Sequence, residues 1–173
     1  MATSVQISMA EYMRTNYRPD REYVDGELVE RNVGKYEHSR LQALLTIWFG
    51  TNESHWSVMA LTEQRVQVSP TRVRIPDVAL VLPKPQPEVL VEPPVLVVEI
   101  LSPDDSYSDT RARATDYFDM GVHTVWIIDP KTRSGEWCEK NVWTSARTLE
   151  VPGTPIWVDL DELFAGLAPY QTT

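Results

Sequence analysis

The chain contains one cysteine, Cys138, among its 173 residues, so an intramolecular disulfide is excluded. A lone cysteine without paired cysteines or histidines also gives no zinc-binding signature, and it is typical of proteins in a reducing compartment. The N-terminus lacks a basic segment followed by an apolar core, and no apolar stretch approaches the length of a membrane span. These absences predict a cytoplasmic globular protein.

The chain also has few basic residues: it contains 16 Lys and Arg but 25 Asp and Glu, which gives a net charge of −9. Non-specific DNA affinity comes from neutralising phosphates, so this balance argues against a surface that coats nucleic acid. The charge does not exclude a nucleic-acid enzyme with basic residues around its site. Twelve of the sixteen basic residues are arginine, whose planar guanidinium can form two hydrogen bonds to a phosphate or a carboxylate. The length favours a single domain over residues 1–173.

The order of predicted elements indicates an α/β (α+β) fold with a mixed central sheet flanked by helices. Helices and strands are both predicted from the periodicity of the hydrophobic residues and from the residues that favour turns and helix ends. Helices are predicted from the capping box at Ser8–Glu11 and over Glu37–Phe49, Ser108–Met120 and Asp159–Leu167. Strands are predicted in the hairpin at Tyr23–Val29 and over Val58–Leu61, Gln64–Val68, Arg72–Leu82, Val95–Leu101, His123–Ile128, Gly135–Lys140 and Ala146–Val151.

Two acidic residues lie inside predicted buried strands. Glu99 interrupts the apolar run Val95–Leu101, and Asp77 interrupts the run Ile75–Val81. Burying a lone carboxylate is costly, so such groups are normally paired or bound to a metal. Because Mg²⁺ takes oxygen ligands and commonly one or two carboxylates, two acids on adjacent strands predict a magnesium site. The alternatives are a salt bridge from Glu99 to a buried arginine and a strand-edge position for Asp77.

An ordered set of motifs carries a resemblance to a known family. The motifs are Arg74–Val78, Leu96–Pro103, the spaced residues Asp109, Arg113, Tyr117 and Gly121, the run Val125–Pro130, and upstream Glu22–Leu28 with His38. Together they resemble the Uma-two family of restriction endonucleases, within the PD-(D/E)XK nuclease superfamily. The resemblance spans roughly Ser8–Pro130 and implies a restriction-endonuclease-like core.

The resemblance also implies roles for individual residues. It implies that Asp77 and Glu99 bind the metal, and that Glu22 and His38 line the same site from the N-terminal half. A neutral imidazole can ligate a metal or relay a proton near its pKa, so His38 is a candidate for both. Without the resemblance, a lone helical histidine is more often a surface residue or a satisfied core residue.

One position departs from the superfamily pattern. A lysine usually follows the second acid by two residues on the same strand face, and here Leu101 occupies that position. Family members commonly carry a lysine on the following helix instead, at the position of Arg113. Arginine can orient a phosphate and stabilise negative charge, but at neutral pH it is a poor proton acceptor.

Each of the remaining candidate residues could have a purely structural role instead of a role in the site. Glu22 could be a solvated charge next to Arg21. Asp109 and Arg113 are four residues apart, which predicts an ion pair within the helix. Tyr117 continues that helix face by one more turn, where it either packs in the core or reaches the site with its hydroxyl.

These observations predict a Mg²⁺-dependent DNA endonuclease, with Mn²⁺ as a substitute and with Asp77, Glu99, Arg113, Glu22, His38 and Tyr117 as the site. One alternative is a nuclease fold that has lost catalysis and serves as a binding or assembly module. Another is a metal-dependent hydrolase of a small phosphorylated substrate, which an acidic surface would tolerate. A homodimer would let two sites address two DNA strands.

Overall fold

The computed structural model describes residues 6–32 and 34–169. Within them, successive helices are separated by runs of two, five and five strands. Helices α1 to α4 span Met9–Arg14, Tyr36–Trp56, Tyr107–Met120 and Leu160–Ala165. Strands β1 to β12 span Arg21–Val24, Glu27–Glu30, Met59–Thr62, Val66–Ser69, Arg72–Arg74, Val78–Val81, Leu96–Ile100, Thr124–Asp129, Ser134–Glu139, Val142–Ser145, Thr148–Glu150 and Trp157–Asp159.

The central sheet has six strands in the order β10-β9-β8-β7-β6-β3, and helices cover both of its faces. Strands β7 and β8 run parallel and are joined by α3, while their other neighbours run antiparallel. Leu96 and Val98 of β7 join the core cluster that includes Phe49 of α2. Val97 joins the cluster that includes Tyr117 of α3. This mixed sheet between helices confirms the predicted fold class.

A second sheet has four strands in the order β2-β1-β5-β4, all from the N-terminal half of the sequence. It carries Glu22, one of the predicted site residues. The prediction of one strand over Arg72–Leu82 is wrong, because β5 belongs to this sheet and β6 to the central one. The break includes Pro76, which has no backbone N–H to donate to a ladder. Asp77 therefore lies in the bend just before β6, rather than on a strand.

The predicted start of α1 and the predicted end of α3 are confirmed, whereas the predicted end of α2 is not. Ser8 caps α1 as expected, and Gly121 ends α3 in the left-handed region with a φ of 112°. The prediction that α2 ends near Phe49 is wrong, because the helix continues to Trp56 and ends at Ser57. Among the described helices, none has the length and apolar content needed to cross a membrane.

Candidate functional site

A polar cavity of about 150 Å³ opens where β7 ends, between the two larger sheets and the starts of α2 and α3. Its walls are rich in acidic and basic side chains from elements that are distant in the sequence. They include Glu22 of β1, His38 of α2, Asp77 before β6, Glu99 of β7, Arg113 of α3, and also Arg31 and Arg74. Five of the six predicted site residues therefore line one cavity, and Tyr117 lies behind it against Glu99.

Both carboxylate oxygens of Asp77 have hydrogen-bond partners, and the residue is only 3 % exposed. The backbone N–H of Ile100 donates to Oδ2 over 2.7 Å. Arg31 donates to Oδ1 over 3.0 Å, and Nε2 of His38 lies 3.3 Å from the same oxygen. Gln42 also holds the backbone carbonyl of Asp77 at 2.9 Å. Asp77 is thus positioned by β7, by α2 and by the segment that follows β2.

Glu99 is buried, but its hydrogen bonding is less complete. The Tyr117 hydroxyl donates to Oε1 over 2.7 Å, and a guanidinium nitrogen of Arg113 lies 3.6 Å from that oxygen. Within the described part of the chain, Oε2 has no hydrogen-bond partner. Burial raises the pKa of Glu99 to about 7; Arg113 opposes the shift, and the charges of Asp77 and Glu22 add to it.

Glu22 is only 2 % exposed and is tied into a network of charged groups. Its Oε1 accepts from the backbone N–H of Ile75 at 3.0 Å and from Arg113 at 2.5 Å. Its Oε2 accepts from Arg74 at 2.8 Å. The alternative of a solvated charge beside Arg21 is therefore wrong.

Arg113 is a permanent cation at the base of the cavity. Burial alone would lower the pKa of its guanidinium, but the charges of Glu99 and Glu22 outweigh burial and raise that pKa. The predicted ion pair within the helix is wrong, because Asp109 instead accepts from the Ser106 hydroxyl at 2.7 Å near the start of α3. The Nε atom of Arg113 is buried without a partner among the described residues.

His38 lies beside Asp77 with its ring almost wholly buried. Burial by itself lowers the pKa of the imidazole, but the hydrogen bond to Asp77 and the charge of that carboxylate outweigh burial and raise the pKa. The Nδ1 atom is buried without a partner in the described ranges. The ring fits only because position 34 is glycine: a Cβ on Gly34 would lie 2.5 Å from Nδ1.

The side chains of the cavity fit a hard cation held by few protein ligands. The described residues contain no group of three or more His, Cys, Asp and Glu that could enclose an ion. Mg²⁺ usually keeps several waters and takes one or two carboxylates together with substrate phosphate. Asp77 and Glu99 provide two carboxylates, and Oε2 of Glu99 is free to accept a ligand bond. No lysine lines the cavity within the described residues.

Sequence reasoning missed three residues that organise the site. Arg31 pairs with Asp77, and Arg74 connects Glu22 to Asp116 through its Nε, 2.7 Å from the Asp116 carboxylate. Asp116 follows Arg113 by three residues on α3, so helical spacing could have placed it on the same face. No local signal marks Arg31, because its partner is far away in the sequence.

Comparisons with known proteins give a family match over most of the chain. The Uma2 family model, described as "Putative restriction endonuclease", matches residues 9–168. No curated protein matches the chain.

Two solved structures resemble the chain. One is described as a putative nuclease belonging to DUF820 from Anabaena variabilis ATCC 29413; it has 18 % identity and a TM-score of 0.81, over 94 % of this chain and 99 % of that one. The other, a DrdV–DNA complex, has 16 % identity and a TM-score of 0.42, over 73 % of this chain and 10 % of that one. The first likeness shows a shared fold. Because the family model covers nearly the whole sequence, the chain belongs to the Uma2 family.

Proposed function

We propose that the protein is a divalent-metal-dependent endonuclease that hydrolyses phosphodiester bonds in DNA. Membership of the Uma2 family supports a nuclease. The observation that carries the proposal is the meeting of two buried carboxylates, Asp77 and Glu99, with the arginine Arg113 in one cavity. Carboxylates suit a hard cation, and an arginine beside them suits the phosphate that such a cation would bind.

In this proposal Asp77 and Glu99 hold Mg²⁺, or Mn²⁺ as a substitute, with His38 as a further ligand or a proton relay through Nε2. A cation bound there supplies an activated water and offsets the charge of the phosphate. Arg113 contacts a phosphate oxygen and stabilises the charge that develops on it. Glu22 holds the Arg113 guanidinium in place at 2.5 Å.

The proton released by the attacking water needs an acceptor other than lysine. Arg113 cannot serve, since its neighbours raise its pKa. His38 is the better candidate because its imidazole lies beside Asp77, and its ordinary pKa is near neutrality. Tyr117 supports the site by donating its hydroxyl hydrogen to Glu99.

Cleavage assays test the proposal. Wild-type protein is expected to cleave plasmid or oligonucleotide DNA with Mg²⁺ or Mn²⁺. Asp77→Asn and Glu99→Gln should each lower the rate at least about a hundredfold, since each removes a charged metal ligand. Asp119→Asn, an exposed acid on α3, is the matched control and should keep the wild-type rate. No cleavage of several DNA forms by wild type, or equal cleavage by Asp77→Asn, would contradict the proposal.

A second candidate is a nuclease fold that binds or assembles without catalysis. Two observations favour it: Leu101 occupies the position of the superfamily lysine, and Arg31 already engages Asp77. Calorimetry with Mn²⁺ separates the two functions. Binding that disappears in Glu99→Gln supports the enzyme, whereas absence of Mn²⁺ binding by wild type supports the binding module.

We also propose that residues 1–173 act as one domain in the cytoplasm and that the protein is a homodimer. Two sites in a dimer would address the two strands of a duplex, which is an argument by analogy with the fold. Light scattering during gel filtration measures the oligomeric state, and a monomer over the working concentration range would contradict the dimer.

A further inference from the structure

A second and larger cavity, of about 690 Å³, adjoins the candidate site and shares His38, Ser102 and Asp105 with it. Its walls are the start of α2, the loop that follows β7 and the turn that follows β8. Strands β7 and β8 are parallel, and sheets of this kind bind ligands outside the carboxyl ends of their strands. A nucleic-acid strand leaving the candidate site in this direction would enter the cavity directly.

Unpaired positive charge lies on this cavity. Lys35 and Lys131, two of the chain's four lysines, line it with exposed side chains, and neither has an ion-pair partner among the described residues. Arg133 is already paired with Glu37 at 2.8 Å. Helix α2 begins here, and Lys35 as its N-cap provides no side-chain hydrogen bond, so the first-turn N–H groups add partial positive charge. The lysines are therefore available to phosphates.

The acidic residues of the cavity are occupied by protein donors. Asp129 accepts from the backbone N–H of Lys131 at 2.9 Å and from the Thr132 hydroxyl at 2.8 Å. Asp105 accepts from the backbone N–H of Ser102 at 2.8 Å. These hydrogen bonds hold the carboxylates in fixed positions but leave their charges in place. The charges of the three wall acids, Glu37, Asp105 and Asp129, are balanced by the three wall cations, Lys35, Lys131 and Arg133.

One aromatic ring on the cavity is open to a ligand. Tyr36 is 67 % exposed, next to Lys35 at the start of α2. The other aromatic residue, Tyr107, is fixed, since its hydroxyl contacts Ser134 at 2.9 Å and the guanidinium of Arg111 lies 5.7 Å from its ring. Exposed aromatic rings beside cations are the features that bind single-stranded nucleic acid, with the base on the ring and the phosphates on the cations.

We propose that this cavity binds an unpaired nucleotide next to the scissile phosphate, with its base stacked on Tyr36 and its flanking phosphates at Lys35 and Lys131. The proposal rests on the nuclease function proposed above and names its substrate class as single-stranded or locally opened DNA. An intact duplex covers both faces of each base, so it cannot use Tyr36 in this way.

Binding measurements on the full chain test this inference. Fluorescence anisotropy compares a labelled single-stranded oligonucleotide with its duplex, with Ca²⁺ in place of Mg²⁺ so that binding is read separately from turnover. Tyr36→Ala should weaken single-strand binding at least about fivefold, whereas Tyr36→Phe should keep it, because stacking needs the ring and not the hydroxyl. Lys35→Ala and Lys131→Ala should each weaken binding about two- to tenfold, as lost phosphate contacts do.

Lys140→Ala is the matched control, because Lys140 is exposed and without an ion-pair partner in the described residues but lies outside the cavity. It should bind DNA like wild type. The inference is overturned if wild type prefers the duplex, if Tyr36→Ala binds single strands as tightly as wild type, or if Lys140→Ala loses as much as Lys131→Ala. If wild type neither binds nor cleaves any DNA, the proposed nuclease function fails as well.

Discussion

The carboxyl group of Glu99 ties the chemistry of the site to the stability of the protein. Burial raises its pKa to about 7, while the ordinary value for the same group is 4.5. Between these values the native protein binds more protons than the unfolded chain. The free energy of unfolding of the metal-free protein should therefore fall as pH rises through this window. His38 acts in the same direction, since its pKa is also raised.

We predict that Glu99→Gln flattens this pH dependence. Glutamine keeps the shape of the side chain but carries no charge, so at pH 8 in EDTA the variant should be more stable than wild type by roughly 1 to 3 kcal/mol. Urea unfolding at pH 5 and pH 8 measures the difference. Asp119→Asn should retain the wild-type slope, and an equal slope for Glu99→Gln would contradict the raised pKa.

A single glycine gives the second prediction at this scale. Gly34→Ala should displace the His38 ring from Asp77, because the new Cβ would lie 2.5 Å from Nδ1. We expect at least a tenfold loss of cleavage with a loss of stability of about 1 to 2 kcal/mol, typical of local overpacking. The ring can be followed by NMR titration of His38, whose pKa should move back toward its ordinary value. An unchanged titration would contradict the predicted displacement.

The contacts of the site differ in how far the sequence alone can predict them. Glu99 and Asp77 could be found because a carboxylate in an apolar run is an energetic anomaly. Arg31 could not, because its role depends on a partner far along the chain. Helical spacing alone predicts that Asp109 pairs with Arg113, but in the fold the guanidinium pairs with the buried carboxylates of Glu22 and Glu99 instead.

At the scale of elements, local signals predicted α3 and β7 well because both elements carry their own boundaries. Gly121 ends α3 as predicted, and the helix starts at Tyr107, one residue before the predicted Ser108. The run of β7 is buried throughout. The break between β5 and β6 carries only one local signal, Pro76, and the apolar residues Ile75 and Val78 around it are buried like those of a continuous strand. Tertiary pairing decides that break: β5 pairs with β1, whereas β6 pairs with β7.

The sequence does not predict the short exposed strands β10 and β12, for a related reason. Strand β10 includes Val142, which is exposed, and β12 includes the partly exposed Trp157. Neither strand shows the alternation of apolar and polar residues that marks a half-buried strand. Their pairing with β9 and β11 becomes visible only in the folded chain.

Helix α2 gives a prediction at the scale of an element. Gly50 lies in its interior, and a Cβ there would meet no atom within 4 Å. The helix continues past this glycine because Phe49 and Trp56 are buried in the core, which offsets the low helix propensity. Gly50→Ala should therefore raise the free energy of unfolding by about 0.5 to 1 kcal/mol and leave cleavage unchanged. Urea unfolding measures the gain, and a loss of stability would contradict this account.

At the scale of the whole molecule, a chain of ion pairs connects the two larger sheets across the site. Asp116 of α3 accepts from Arg72 at 2.8 Å and from Arg74 at 2.7 Å, both on β5. Arg74 also forms an ion pair with Glu22, and Glu22 forms a second ion pair with Arg113. The central sheet with α3 and the four-stranded sheet thus share one buried network, and the position of Arg113 depends on both.

Substitution of Asp116 tests this coupling. Asp116→Asn leaves the buried Arg74 with one fewer anionic partner, so we expect a loss of roughly 3 kcal/mol in the free energy of unfolding. The matched control is Asp25→Asn, which removes the exposed partner of the same Arg72 and should change stability far less. Cleavage should also fall in Asp116→Asn while Mn²⁺ binding persists, since Asp77 and Glu99 remain intact. Equal unfolding curves for the two variants would show that the ion pairs of Asp116 do not stabilise the contact between the sheets, because of the two substituted acids only Asp116 lies on α3.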